Sequence, residues 1–238
     1  MMQEGQAIDR ILVFIPTFSD HAAIDDLVAA IAELGQVFVP LLVDDGSVPP
    51  VAVPGGRCLH ARLPANMGLG VSTHIAFSHA LRHGYTAVVR VDADGQHAVH
   101  DIPRLINALG DADFVVGVRT NHDSDGSLDG LGRRLMKAYF NMLARALTGG
   151  RVPHDVNSGF FAANREALRR LSRDTFERFP EPEIFVSACR ADLRVVSVLV
   201  EQLPRRTGRS TLGMFAALRM FFRFNVFAFN RILRGRQP

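Results

Sequence analysis

Short apolar runs alternate along the chain with segments of helical period. Residues 10–18 (RILVFIPTF) form a nearly unbroken apolar run closed by a polar turn, the pattern of a strand buried on both faces. Ile24, Leu27, Val28, Ile31 and Leu34 then recur at helical spacing up to Gly35, and Asp20 is placed to cap that helix. Residues 37–43 read as a second strand ending at Asp44-Asp45-Gly46-Ser47, and 57–63 as a third, weaker one. Asn66-Met67-Gly68-Leu69-Gly70 opens a helix to about His83; a strand at 87–91, a helix at 101–109 and a strand at 114–118 follow. The polar stretch 121–130 (NHDSDGSLDG) is expected to be mobile and to separate this half from a helix at 133–147. Beyond it lie a turn at 155–160, a strand at 195–200 and a final helix at 211–234.

This alternation predicts an α/β fold with a mostly parallel sheet and helices on both faces. Ligands of such sheets bind beyond the carboxyl ends of the strands. The polar clusters at 16–20, 44–47 and 92–97 all fall at expected strand ends. The last of them, VRVDADGQH (89–97), sets two aspartates one residue apart. If the strand continues through them, Asp92 and Asp94 point to the same side and repel unless a proton or a cation lies between them. Mg²⁺ commonly takes one or two carboxylates plus substrate phosphates. On these residues alone, a metal–phosphate site and a solvated polar turn are equally good readings.

Length changes the picture little: 238 residues suit one large domain, or one domain with an appendage. Two cysteines, Cys58 and Cys189, make no disulfide framework and fit a reducing compartment. The first ten residues carry no signal-peptide pattern, and no uncharged apolar run is long enough to span a membrane. The net charge of +3 is unevenly placed, because residues 202–238 contain no acidic side chain and eight arginines. Such an end suggests a polyanionic partner, a membrane surface or nucleic acid, and no recognised nucleic-acid motif is present.

The order PTFSD, DDGS, NMGLG, DADGQH, GVR, DVNSGF, PEPE and RRTGRS resembles the family 2 glycosyltransferases of GT-A fold, in particular the polyprenyl-phosphate (dolichyl-phosphate mannose synthase-like) branch. The resemblance runs from about Arg10 to Gly213. It implies a catalytic domain over 1–210 and a metal-dependent, inverting transfer from a UDP- or GDP-sugar to a polyprenyl phosphate. Pro16, Thr17, Asp20, Asp44, Asp45, Asn66 and Gly70 would surround the nucleotide, with Asp45 toward the base. Asp92 and Ala93 would contact the nucleotide. Asp92, Asp94 and Gln96 would hold Mg²⁺ or Mn²⁺, with His97 structural. Arg119 would meet phosphate. Ser158 and Gly159 would form the acceptor-side turn, and Arg205, Arg206, Arg209 and Ser210 a basic loop over the phosphates. A hydroxyl acceptor would need a general base, for which Glu183 and Asp155 are the candidates; a lipid phosphate would not. The alternatives are transfer to a hydroxyl of a glycan or small molecule, or a non-catalytic membrane-associated protein on the same scaffold.

At 100° per residue, Arg219, Arg223, Asn230 and Arg234 share one narrow face of the final helix. Phe215, Leu218, Phe221, Phe222, Phe224 and Phe229 cover most of the rest. A wide apolar arc with a basic stripe predicts an interfacial helix over 211–238, peripheral to the inner face of the cytoplasmic membrane. Packing on the catalytic domain or on a second copy of the chain is the alternative cover for that face.

Overall fold

The computed structural model describes residues 10–19, 23–53, 55–56, 58–119, 128–152, 156, 158–174, 176, 181–203 and 214–233. Strands β1 (Ile11–Thr17), β2 (Phe38–Asp44), β3 (Leu59–Arg62), β4 (Ala87–Arg90), β5 (Phe114–Arg119), β6 (Phe161–Asn164) and β7 (Val195–Val200) form one sheet. Its order is β3-β2-β1-β4-β6-β5-β7. Every pairing is parallel except those of β6, which runs antiparallel to β4 and β5.

Burial on both faces follows from the apolar runs, whose alternate residues feed two cores. Leu12, Phe14, Val88, Phe114 and Phe161 point into one. That core holds α2 (Leu69–Arg82), α4 (Leu128–Thr148), α5 (Arg165–Leu171) and α6 (Glu181–Arg190). Val13, Ile15, Val89, Val115 and Ala162 point into the other, covered by α1 (Ile24–Glu33) and α3 (Ile102–Ala108).

Several elements differ from the sequence expectation. α1 has Ala23 at its N-cap with no side-chain cap bond, and Asp20 lies outside the described residues. α4 begins at Leu128, inside the stretch expected to be mobile. α6 was not expected from the sequence; Pro182 through Cys189 are all buried, the polar Glu183 and Ser187 among them. Most consequentially, β4 ends at Arg90, so pleating does not align Asp92 with Asp94; both sit in the turn beyond the strand.

The last helix, α7 (Met214–Leu233), docks by one face only. Phe224 and Ala228 are buried, and the Phe224 ring meets Phe140 of α4 edge-on at 5.3 Å. The Tyr139 hydroxyl donates to Asn225 Oδ1, and Arg231 Nη2 reaches Asp174 Oδ2 at 2.7 Å and Ser187 Oγ at 3.0 Å. The opposite face leaves Leu218, Phe222, Val226, Phe229, Ile232 and Leu233 exposed. Among the described residues no helix is long and apolar enough to cross a membrane.

Candidate active site

Parallel pairing brings the carboxyl ends of β1, β2 and β4 to one edge, with Thr17 opposite Asp44 and Phe14 opposite Arg90. The loops beyond them are tied to one another. Asp44 is fully buried and accepts from Ser47 N at 2.8 Å, Val51 N at 3.3 Å and Arg62 Nε at 3.2 Å. Burial alone would raise its pKa, but the hydrogen bonds from Ser47 and Val51 and the charge of Arg62 outweigh it and hold the carboxyl below its ordinary value. Ser19 N donates to Ser47 Oγ at 2.9 Å, joining the loops after β1 and β2.

Asp45 reaches across to the segment before α2, accepting from Met67 N at 2.7 Å and Gly68 N at 2.8 Å. Gly68, the N-cap of α2, has φ +97°, a conformation that glycine adopts without strain. A Cβ on Gly46 would overlap the Ala65 backbone. The DDGS and NMGLG motifs are thus one packed unit. Asn66 Oδ1 is buried there without a hydrogen-bond partner, an orphaned acceptor beside the strand ends. Gly70 is buried in the first turn of α2, Thr17 is buried beneath the loops and Pro16 is half-buried.

The DADGQH turn is built around a residue that sequence reading missed. Arg90, 3% exposed, forks onto Asp92 Oδ1 through Nε at 2.9 Å and Nη2 at 2.8 Å. Its Nη1 lies 2.9 Å from Glu181 Oε1 at the start of α6. Burial would lower the pKa of the guanidinium, but Asp92 and Glu181 more than offset it and keep Arg90 charged. An arginine in an otherwise apolar strand is itself the signal, since a buried charge requires partners. Gly159 leaves the space for this cluster: a Cβ there would overlap Asp92 Oδ2 and stand 3.0 Å from Arg90 Nη2.

His97 Nδ1 accepts from Asp92 N at 3.0 Å, and its ring stacks on Phe160 at 4.8 Å. That is a framework role. Ala93 is buried, and Asp94, half-buried, accepts from Gln96 N at 3.0 Å.

On the other side of the edge, Ser158 Oγ donates to Gly117 O at 2.6 Å and so joins β5 to the turn before β6. Glu183, 2% exposed, sits in the first turn of α6. Arg119 is the last residue of β5, in register with Val200 of β7. After β7 the chain turns toward the DADGQH loop: Glu201 N donates to Asp101 Oδ2 at 2.8 Å, Gln202 bridges to His97, and Leu203 N donates to Gln96 O at 2.9 Å. Arg205, Arg206, Arg209 and Ser210 follow within a few residues but, like Asp155, lie outside the described residues.

Oxygen donors of Asp92, Asp94 and Gln96 suit a hard divalent cation. Among the described residues no cluster of three or more His, Cys, Asp or Glu side chains could hold one unaided. A cation held by Asp92, Asp94 and Gln96 would need oxygens of ligand phosphates and water to complete its coordination.

The model of the family described as Glycosyl transferase family 2 matches residues 12–172. A polyprenol monophosphomannose synthase of Mycolicibacterium smegmatis is 29% identical over 171 residues, 68% of this chain and 64% of that protein. An undecaprenyl-phosphate mannosyltransferase of Micrococcus luteus is 26% identical over 217 residues, 86% of this chain and 88% of that protein. In structure, the chain resembles glucosyl-3-phosphoglycerate synthase of Mycobacterium tuberculosis in complex with Mn²⁺, UDP and phosphoglyceric acid. That likeness has a TM-score of 0.68 at 16% identity and covers 92% of this chain and 78% of that one, a likeness of fold.

Proposed function

Because the chain belongs to glycosyl transferase family 2, we propose that it moves a sugar from a nucleotide-sugar donor to a polyprenyl phosphate, with inversion and with the help of a divalent cation. The observation that carries the donor site is the convergence at one sheet edge of DDGS, NMGLG, DADGQH and the start of the basic loop, joined by Asp45–Gly68 and Leu203–Gln96. The names of the two relatives support the lipid-phosphate acceptor.

In this reading Asp45, Asn66 and the loops that Asp44 braces bind the nucleoside. The orphaned Asn66 Oδ1 is an acceptor ready for a base or ribose donor. Asp92, Asp94 and Gln96 would hold Mg²⁺ or Mn²⁺, which when bound neutralises charge on the donor diphosphate. Arg205, Arg206, Arg209 and Arg119 supply guanidinium contacts to phosphate oxygens. An oxygen of the acceptor phosphate attacks the anomeric carbon; its bond to the diphosphate breaks and the nucleoside diphosphate leaves with the electron pair. That oxygen is already anionic near neutral pH, so Glu183 and Asp155 need take no proton and position the acceptor instead.

The acceptor lies in a membrane, and α7 supplies the contact. Its exposed apolar face is 50% or more exposed at Leu218, Phe222, Val226, Phe229, Ile232 and Leu233. With no acidic residue from 202 onward, this face suits an anionic leaflet at the inner side of the cytoplasmic membrane.

Transfer to a hydroxyl is the second reading, favoured by one observation: Glu183 is a buried carboxyl in the first turn of α6, the helix whose Glu181 pairs with Arg90. The test incubates the full chain with UDP- and GDP-sugars, Mn²⁺ or Mg²⁺, and undecaprenyl phosphate, and follows sugar into the lipid phase. Sugar transfer to a hydroxyl acceptor with none to the lipid would defeat the proposal.

A further inference from the structure

We propose that Arg90 is a positioning residue: it fixes the Asp92 carboxylate for the nucleotide–cation complex and ties it to the first turn of α6. This rests on the donor-site reading above, in which Asp92 faces the nucleotide, and adds how that carboxylate is held and what it is coupled to.

A charged side chain at the end of a central strand is costly unless its hydrogen-bonding capacity is met. Arg90 meets it with two carboxylates from separate segments, Asp92 in the turn after β4 and Glu181 at the start of α6. The fork places both Nε and Nη2 on a single oxygen of Asp92, so two N–H groups fixed in one plane pin that oxygen, where a lysine ammonium would donate a single bond. The other constraints close around it. His97 Nε2 lies 3.9 Å from Asp92 Oδ2, and Gly159 offers no Cβ where that oxygen sits. The Asp92 side chain is nevertheless 31% exposed, whereas those of Arg90 and Glu181 are 4% and 13% exposed. The accessible carboxylate is therefore backed by a dry cation, and that cation is shared with the helix that carries Glu183. A movement of α6 as acceptor binds would be felt at Asp92 through one guanidinium.

The arrangement differs from an ion pair that only holds the fold. Such a pair can be replaced with loss of stability alone, whereas a positioning group changes ligand affinity when its charge is kept and its geometry is lost. Arg90→Lys makes that change, because an ammonium cannot fork. Gly159→Ala disturbs Asp92 with no change of charge at all. Glu181→Gln removes the α6 side of the link.

The test measures Mn²⁺-dependent binding of UDP and of GDP by calorimetry on the full chain and its three variants, beside thermal unfolding. Arg90→Lys and Gly159→Ala are each expected to weaken Mn²⁺-dependent nucleotide affinity by about tenfold or more, the effect usual for groups that orient a metal ligand. Glu181→Gln is expected to leave that affinity within about twofold and to raise the KM for undecaprenyl phosphate, by the coupling argued above. If Arg90→Lys does not fold, Gly159→Ala carries the test. Lowered melting temperatures with an unmoved Mn²⁺ titration would overturn the inference and leave Arg90 a structural clamp. Wild-type protein that binds neither nucleotide with Mn²⁺ would instead overturn the donor-site reading, and this inference with it.

Discussion

The backbone nitrogen of Leu203 donates to the carbonyl of Gln96 at 2.9 Å, so two segments more than 100 residues apart in sequence share a hydrogen bond. One is the DADGQH turn. The other is the exit of β7, two residues before the first arginine of RRTGRS. The expected metal–diphosphate turn and the expected phosphate loop therefore start from the same point. Replacing Arg205, Arg206 and Arg209 together by Ala should raise the donor KM and the Kd for nucleoside diphosphate, while nucleoside affinity stays near wild type. Each lost charge-assisted bond to a phosphate costs roughly 1.5–3 kcal/mol. Equal loss for nucleoside and diphosphate, measured by calorimetry, would speak against a phosphate role.

Asp94→Asn keeps the size of the side chain and its acceptor for Gln96 N. It should weaken Mn²⁺-dependent nucleotide binding at least about tenfold, roughly 1.4 kcal/mol, with little change in melting temperature. A metal titration superimposable on that of wild type would remove Asp94 from the donor set.

Glu183→Gln separates the two acceptor classes. With a lipid phosphate as nucleophile, substantial turnover should remain. With a hydroxyl, loss of the base should cost roughly 10²–10⁴-fold in kcat. The measurement is kcat at saturating donor, with donor affinity checked separately.

Asp44 makes stability depend on acid. Its folded-state pKa lies below the ordinary value, so its contribution is complete above the unfolded pKa of about 3.9 and is lost as pH falls through the lower folded value. Asp44→Asn should remove that contribution at neutral pH and strand Arg62, Ser47 N or Val51 N, at a cost of about 1–3 kcal/mol. Urea unfolding at pH 7 and below pH 4 checks it; the gap between wild type and variant should narrow in acid.

For α7, Phe222→Ser with Phe229→Ser should abolish sedimentation with anionic vesicles without unfolding the chain, since both rings are about 60% exposed. Each ring buried in lipid contributes roughly 1.5–3 kcal/mol. High salt should release the wild type only in part, because screening acts on the arginines and not on the apolar face. A variant that still sediments, or a wild type that forms a stable dimer in place of binding vesicles, would assign the face to another partner.

The sequence by itself determined the elements with a clear apolar signature: the short buried runs of β1, β2, β4, β5 and β7, the weaker β3, the helices α1 to α4 and α7, and the strand ends where DDGS and DADGQH fall. It also placed Gly68 and Gly159, though not the reason for Gly159. Tertiary structure alone decided the rest. β6 is antiparallel, so Gly159 comes back against Asp92, and no local pattern records a chain reversal. α6 is buried along its length, Glu183 and Ser187 included, so its polar positions do not mark a solvent face. Asp92 is held by Arg90, two positions away, which is itself anchored by Glu181, 89 positions from Asp92, and not by strand pleating. The physical reason is common to all three. Periodicity reports a segment's partition between water and core, which is local, whereas the partner of a buried charge is whatever the fold brings within hydrogen-bond reach, and that is not.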